Sequence, residues 1–215
     1  MTVFPRLLLV CAAFAAVQAQ AAVHCAAPGV MAVDKANDGS GFIFFPSRAY
    51  GTTAFVVPGR DFRKDPTAAS GMTQFFIDGI HYQFLTTSKA PFVDSGQAAD
   101  DAALLAGHAK WEQAYMVKGG TPLTKFNDLG DRPRKASVGG QAFLFKMWFA
   151  VDPKKPDGEA QYFVSTVVGE DIAILTAMIP SAKHSTQLMA AFQMFASSFR
   201  FVSSKDACPA PRPNL

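Results

Sequence analysis

Residues 158–202 read strand, turn, strand, proline, helix, and this order limits the possible folds more than any other stretch of the chain. Segments 162–168 and 172–179 are rich in β-branched and aromatic residues, the composition that a pleated, half-buried surface selects. The short polar segment Gly169-Glu170-Asp171 between them suits a hairpin connection. In the second segment Ile172, Ile174, Thr176 and Met178 alternate with Ala173, Leu175, Ala177 and Ile179. With both faces apolar, it is predicted to be an inner strand covered on both sides. Pro180 then removes a ladder donor and ends it.

The period changes after Pro180. Leu188, Phe192, Phe195 and Phe199 fall on one stripe of an α-helix, with Gln187, Gln193 and Ser197 on the other side. Ser181 or Ser185 can cap its start. The stripe is expected to lie across the preceding hairpin as core, each buried Phe contributing roughly 1.5–3 kcal/mol.

Residues 1–21 have the pattern of an export signal. Arg6 gives a positive start, residues 7–17 are apolar, and Ala19-Gln20-Ala21 is a small-x-small cleavage site. The apolar run is much shorter than the roughly 20 residues of a membrane span. The expected location is therefore periplasmic or secreted, with no membrane span after cleavage. Removal of Cys11 leaves Cys25 and Cys208, near the two ends of the remaining chain. In an oxidising compartment this pair is a disulfide candidate, closing a loop for which chain entropy gives on the order of 5 kcal/mol. The alternatives are two free thiols, or a metal site with His24. Zinc wants four ligands and only two lie nearby, so neither a metal nor a cofactor is expected.

Hydrophobic residues make up 49% of the chain and charged residues 17%, which supports a sizeable core and excludes disorder. The length suits one domain with an extension. The reading divides the chain into a signal (1–21), a β-rich N-terminal extension (22–71), a main α+β domain (72–202) and a loose proline-rich tail (203–215). Within the extension, Asn37-Asp38-Gly39 is a turn, Phe42-Ile43-Phe44-Phe45 a strand, and residues 52–57 another. Segment 59–71 reads as a loop. Asp78-Gly79 is placed for a two-residue hairpin turn, with His81 in the strand that follows.

Residues 94–117 are predicted to form a helix, with Asp94 as N-cap and Gln97 reaching back to complete a capping box. Leu104, His108, Trp111 and Tyr115 share a stripe on it, and Gly119-Gly120 stops it. His108 beside Trp111 and Glu112 invites a site; the plainer reading is the edge of a packed face. Residues 120–140 read as a long loop holding Asp128, Asp131, Arg132, Arg134 and Lys135. Loops of that length are often functional, which makes these five residues the candidate binding surface. A solvated connection is the alternative. Residues 141–151 then form a strand with Phe143, Phe145, Met147 and Phe149 on one face.

This order carries a resemblance. A helix, a loop and Val138-Gly139-Gly140-Gln141-Ala142 precede a strand. An Asp157-Gly158 turn leads to Tyr-Phe-Val-Ser-Thr-Val-Val, then to Leu175-Thr176-Ala177 before Pro180, and Ser198-Phe199-Arg200-Phe201 closes the last helix. Residues 72–202 resemble the α/β/α sandwich shared by the photosystem protein PsbP, the Ran-binding protein Mog and bacterial DcrB-like proteins. The resemblance implies an antiparallel sheet flanked by helices and a binding, assembly or chaperone role rather than catalysis. It supplies no catalytic residues.

The chain has no nucleophile elbow, zinc-protease helix, Walker loop or dinucleotide fingerprint. Its 20 Lys and Arg against 17 Asp and Glu give only +3, and the basic runs are not interleaved with aromatics, so no nucleic-acid partner is expected. The first functional reading is an exported, non-catalytic protein that contacts a protein partner of the cell envelope or a secretion system. A hydrolase with His81, His108 or His184 as base is the alternative, and a binder of a small apolar ligand is a third.

Overall fold

The computed structural model describes residues 31–202 apart from 37, 48, 50, 66–72, 94–99, 136–141 and 181–184. The signal, the Cys25–Cys208 pair, His24, Asp94, Gln97, His184 and the tail lie outside these.

Two antiparallel sheets stack on each other. The smaller has the order β1-β2-β3-β11, from β1 (Ala32–Lys35), β2 (Gly41–Ser47), β3 (Gly51–Val57) and β11 (Arg200–Val202). The larger adds β4 (Phe62–Lys64), β5 (Thr73–Ile77), β6 (Ile80–Ser88), β7 (Lys125–Lys135), β8 (Ala142–Val151), β9 (Ala160–Val168) and β10 (Asp171–Ile179). Its order is β4-β5-β6-β10-β9-β8-β7. Helix α1 (Asp101–Lys118) covers one face of the large sheet, while α2 (Ser185–Ser198) and the small sheet cover the other. The chain is therefore α+β, an antiparallel sheet flanked by helices, and β1–β3 share the main core with the rest.

The predicted meander and helix stand where the pattern put them. β10 lies between β6 and β9, buried on both faces from Ile172 to Ala177. Ile172 and Ile174 meet α1, while Ala173, Leu175, Ala177 and Ile179 enter the main core. Leu188, Phe192, Phe195 and Phe199 are all buried, and Gln187, Gln193 and Ser197 face water. The turn at Asp78-Gly79 takes φ of 50° and 80°, the left-handed pair that a two-residue hairpin demands and that Asp-Gly tolerates.

Three expectations need correction. Residues 120–140 are not a long loop: β7 spans most of them, paired with β8 in register from Lys125↔Val151 to Lys135↔Ala142. Its Asn, Asp, Gly and Pro are poor strand formers, and a bulge between Asp128 and Gly130 breaks the alternation. Pairing with the apolar β8 forms the strand, helped by Phe126 on one face and Leu129 on the other. Charge, Pro133 and the bulge suit a sheet edge, where they deter another strand from adding. Second, the helix starts at Asp101, not Asp94; Asp100 is the N-cap, its carboxylate accepting from the Ala103 amide at 2.7 Å. Third, segment 59–71 contains the short strand β4, paired with β5.

Candidate functional site

Helix α1 buries Leu104, Leu105, His108, Ala109 and Met116 against β8, β9 and β10. Beneath it the Trp148 and Phe163 rings, cross-strand neighbours on β8 and β9, stack at 3.8 Å with planes 3° apart. The edge of the Phe126 ring closes on Trp148 at 6.0 Å. The platform under the helix is thus flat, aromatic and closely packed.

The stripe Leu104, His108, Trp111, Tyr115 is not uniformly packed. Its first two members are buried, whereas Trp111 is 52% exposed and Tyr115 64%. The cause is the 3₁₀ turn Ala90–Phe92. Phe92 sets its ring edge-on to His108 at 5.2 Å and to Trp111 at 6.1 Å, and the turn covers this side no further along the helix. Past that point Trp111 and Tyr115 stack on each other at 5.7 Å in the open. Of five exposed large hydrophobic residues among those described, Val93, Trp111, Tyr115 and Val117 lie on or beside α1, and only Met194 lies elsewhere. Beyond its first two turns, every exposed residue of α1 is apolar, aromatic or lysine: Lys110, Trp111, Ala114, Tyr115, Val117 and Lys118.

Below this surface His108 is 1% exposed, and neither ring nitrogen has a hydrogen-bond partner among the described residues. Glu112 approaches Nε2 at 3.6 Å, too far for a hydrogen bond. Burial pulls the imidazole down from 6.5 to about 4 and pushes the Glu112 carboxyl up. Between pH 6.5 and 4 the unfolded chain holds a proton on His108 that the folded chain refuses. Stability is therefore full above pH 6.5 and falls as pH drops, by up to about 3 kcal/mol from this group alone. Glu112 works against it, because the folded state accepts that proton sooner. Denaturant melts at pH 7 and 4.5 are expected to show a loss on acidification that is about 2 kcal/mol smaller in His108→Leu than in the native chain. Equal losses would contradict the buried, neutral histidine.

A charged margin borders α1 on the same side of the sheet. Lys146 lies on β8 between Leu144 and Trp148, both of which meet α1-side clusters. Its ammonium donates to Asp128 at 2.7 Å and to Asp131 at 3.2 Å. Burial alone would pull Lys146 down, but these two bonds outweigh it and hold its pKa above the ordinary lysine value. The Lys146 hydrogen bond holds Asp128 below the usual carboxylate range. Of the five residues expected to form the surface, Asp128 and Asp131 are brought together through Lys146. Arg132 is exposed on the edge strand, and Arg134 and Lys135 are placed only by their pairing with Phe143 and Ala142. Lys146 escaped the sequence reading. A single charge inside the apolar run 141–151 was the available signal, since a buried ammonium requires a partner.

A hydrolytic site needs a histidine within reach of both a serine and a carboxylate. His108 makes no hydrogen bond to a serine, and His81 stacks on Phe76 with its Nε2 3.3 Å from an Asp65 carboxylate oxygen but not hydrogen-bonded to it. His184 lies outside the described residues. Among the described residues no three His, Cys, Asp or Glu gather as metal ligands, and no helix is long and apolar enough to cross a membrane.

Fold and site define an antiparallel α+β protein with an open aromatic helix face. No family model matches the chain, and no curated protein matches it. Among solved structures it is similar to the solution structure of cyanobacterial PsbP (CyanoP) from Synechocystis sp. PCC 6803. The likeness covers 75% of this chain and 92% of that one, at 10% identity and a TM-score of 0.46.

Proposed function

We propose that the chain is an exported binding or assembly protein that docks a partner protein on the outer face of α1. The carrying observation is the Trp111–Tyr115 stack, held open to solvent on a helix whose other side is packed on an aromatic platform. Trp and Tyr supply large contact area with few rotatable bonds, and they dominate protein interfaces for that reason. A rigid base lowers the ordering cost of binding. Lys110 and Lys118 flank the stack with no exposed acid beside them past the first two turns, so the partner segment is apolar with carboxylates around it. Asp128, Asp131 and Arg132 would form the polar rim. The export pattern of residues 1–21 supports an envelope or extracellular partner.

Co-purification from envelope extract tests this with three forms: native, Trp111→Ala/Tyr115→Ala, and Met194→Ala. Truncating two such anchors is expected to weaken binding by roughly a hundredfold or more, while the Met194 form binds as the native chain does. Raising salt should weaken the native complex, because its rim is ionic. Equal recovery of every partner by all three forms would overturn the assignment.

A further inference from the structure

A cleft of about 210 Å³ opens between α2 and the turn joining β5 to β6, on the side of the large sheet opposite α1. Its apolar walls are Pro58, Ile77, Ala190 and Ala191, and Asp78 and Tyr82 bring polar atoms to it. At roughly 30 Å³ per water molecule it has room for about seven, which suits a ligand with about as many non-hydrogen atoms. Gly59 sets one wall. A Cβ there would overlap the Ile77 side chain and stand 3.2 Å from Asp78 Oδ2, so only glycine lets the backbone cross so close.

That crossing fixes one carboxylate oxygen and leaves the other. The amides of Arg60 and Asp61 both donate to Asp78 Oδ1 at 3.0 Å, whereas Oδ2 accepts no hydrogen bond and meets no cation among the described residues. Tyr82 is the second polar group. Its ring stacks on Phe75 in the core at 5.5 Å and the residue is 1% exposed, so the part that it offers to the cleft is the hydroxyl end. This hydroxyl makes no hydrogen bond among the described residues. Burial, and then the charge of Asp78, push the phenol's pKa up, which keeps it protonated. A buried hydroxyl left without a partner costs free energy that a ligand atom placed beside it recovers. One donor group can serve both oxygens, and the carboxylate favours a donor that is positively charged.

We propose that this cleft binds a primary ammonium carried on a short aliphatic chain. The nitrogen donates to Asp78 Oδ2 and to the Tyr82 hydroxyl oxygen, and the chain lies against Ile77 and Ala191. The site is separate from the α1 face and does not depend on docking there. Its ligand is either a free small amine or a lysine side chain, whose end is itself a butylammonium group.

NMR titration of the full chain at constant ionic strength tests this, read at the methyl groups of Ile77, Ala190 and Ala191. n-Butylamine is expected to shift them saturably, with a Kd on the order of a millimolar for so few atoms. n-Butanol and butyrate should bind at least about tenfold more weakly. Tyr82→Phe keeps the ring and should weaken butylamine about fivefold, with Tm within about 2 °C of the native chain because the hydroxyl has no bond to lose. Asp78→Asn removes the charge but suits the left-handed turn at φ 50°, and should weaken it about tenfold or more. Nα-acetyl-lysine amide distinguishes the sources: binding as tight as butylamine's assigns the cleft to a lysine side chain, and its exclusion assigns it to a free amine. No saturable shift, equal binding of butanol or butyrate, or undiminished binding by either variant would overturn the site.

Discussion

Phe195→Ala is expected to lower the unfolding free energy by about 3–5 kcal/mol, among the largest effects available from one side chain here. Phe195 is fully buried on α2 and touches three elements. It stacks on Phe55 of the small sheet at 4.1 Å, and its ring meets Phe84 and Phe145 of the large sheet, each at 6.4 Å. These neighbours sit on strands fixed by pairing, so the cavity left by truncation cannot close by a simple shift. Met194 beside it is 49% exposed, and Met194→Ala should stay within about 0.5 kcal/mol. Urea titration decides between them: the midpoint should fall sharply for Phe195→Ala with the slope unchanged. Similar midpoints for the two variants would mean that α2 does not bind the sheets together.

The second large effect lies across the sheet. Trp148→Ala removes the buried ring that stacks on Phe163 and supports α1, at an expected cost of about 3–5 kcal/mol. Its loss should also speed amide exchange in α1 more than in α2, because the two helices pack into different clusters. Fluorescence gives an independent reading. The chain has two tryptophans, and removing the buried one leaves Trp111 alone, half exposed. Its emission should be red-shifted and readily quenched by iodide. A cost below about 1 kcal/mol would mean that α1 is a loose appendage and no base for a binding face.

How much could be read from the sequence depends on where the information lies. The β9–β10 hairpin and the α2 stripe were legible because their cause is local: alternation, a turn, a proline, then a period near 3.6. β7 was not, since its pairing with β8 makes it a strand and its own residues argue against one. The helix start was misplaced because Asp94 and Asp100 are both credible caps, and sequence alone does not choose between them. Trp111 and Tyr115 illustrate a further limit. Their spacing placed them on the stripe of Leu104 and His108, but no pattern along the helix reveals where Phe92 stops covering that side. The proposed binding face therefore rests on a boundary in packing, and the charged segment expected to be a loop is strand β7, with Asp128, Asp131 and Arg132 as the proposed rim.

Site-specific photocross-linking in the host cell puts the central claim to its most direct test. A benzophenone side chain replaces Tyr115 in one form and Met194, an exposed position on the other helix, in the second. Illumination is expected to join position 115 to a discrete protein, to leave position 194 without that product, and to lose the adduct when Trp111→Ala is added. No protein adduct at 115, or the same products from both positions, would contradict docking on the α1 face.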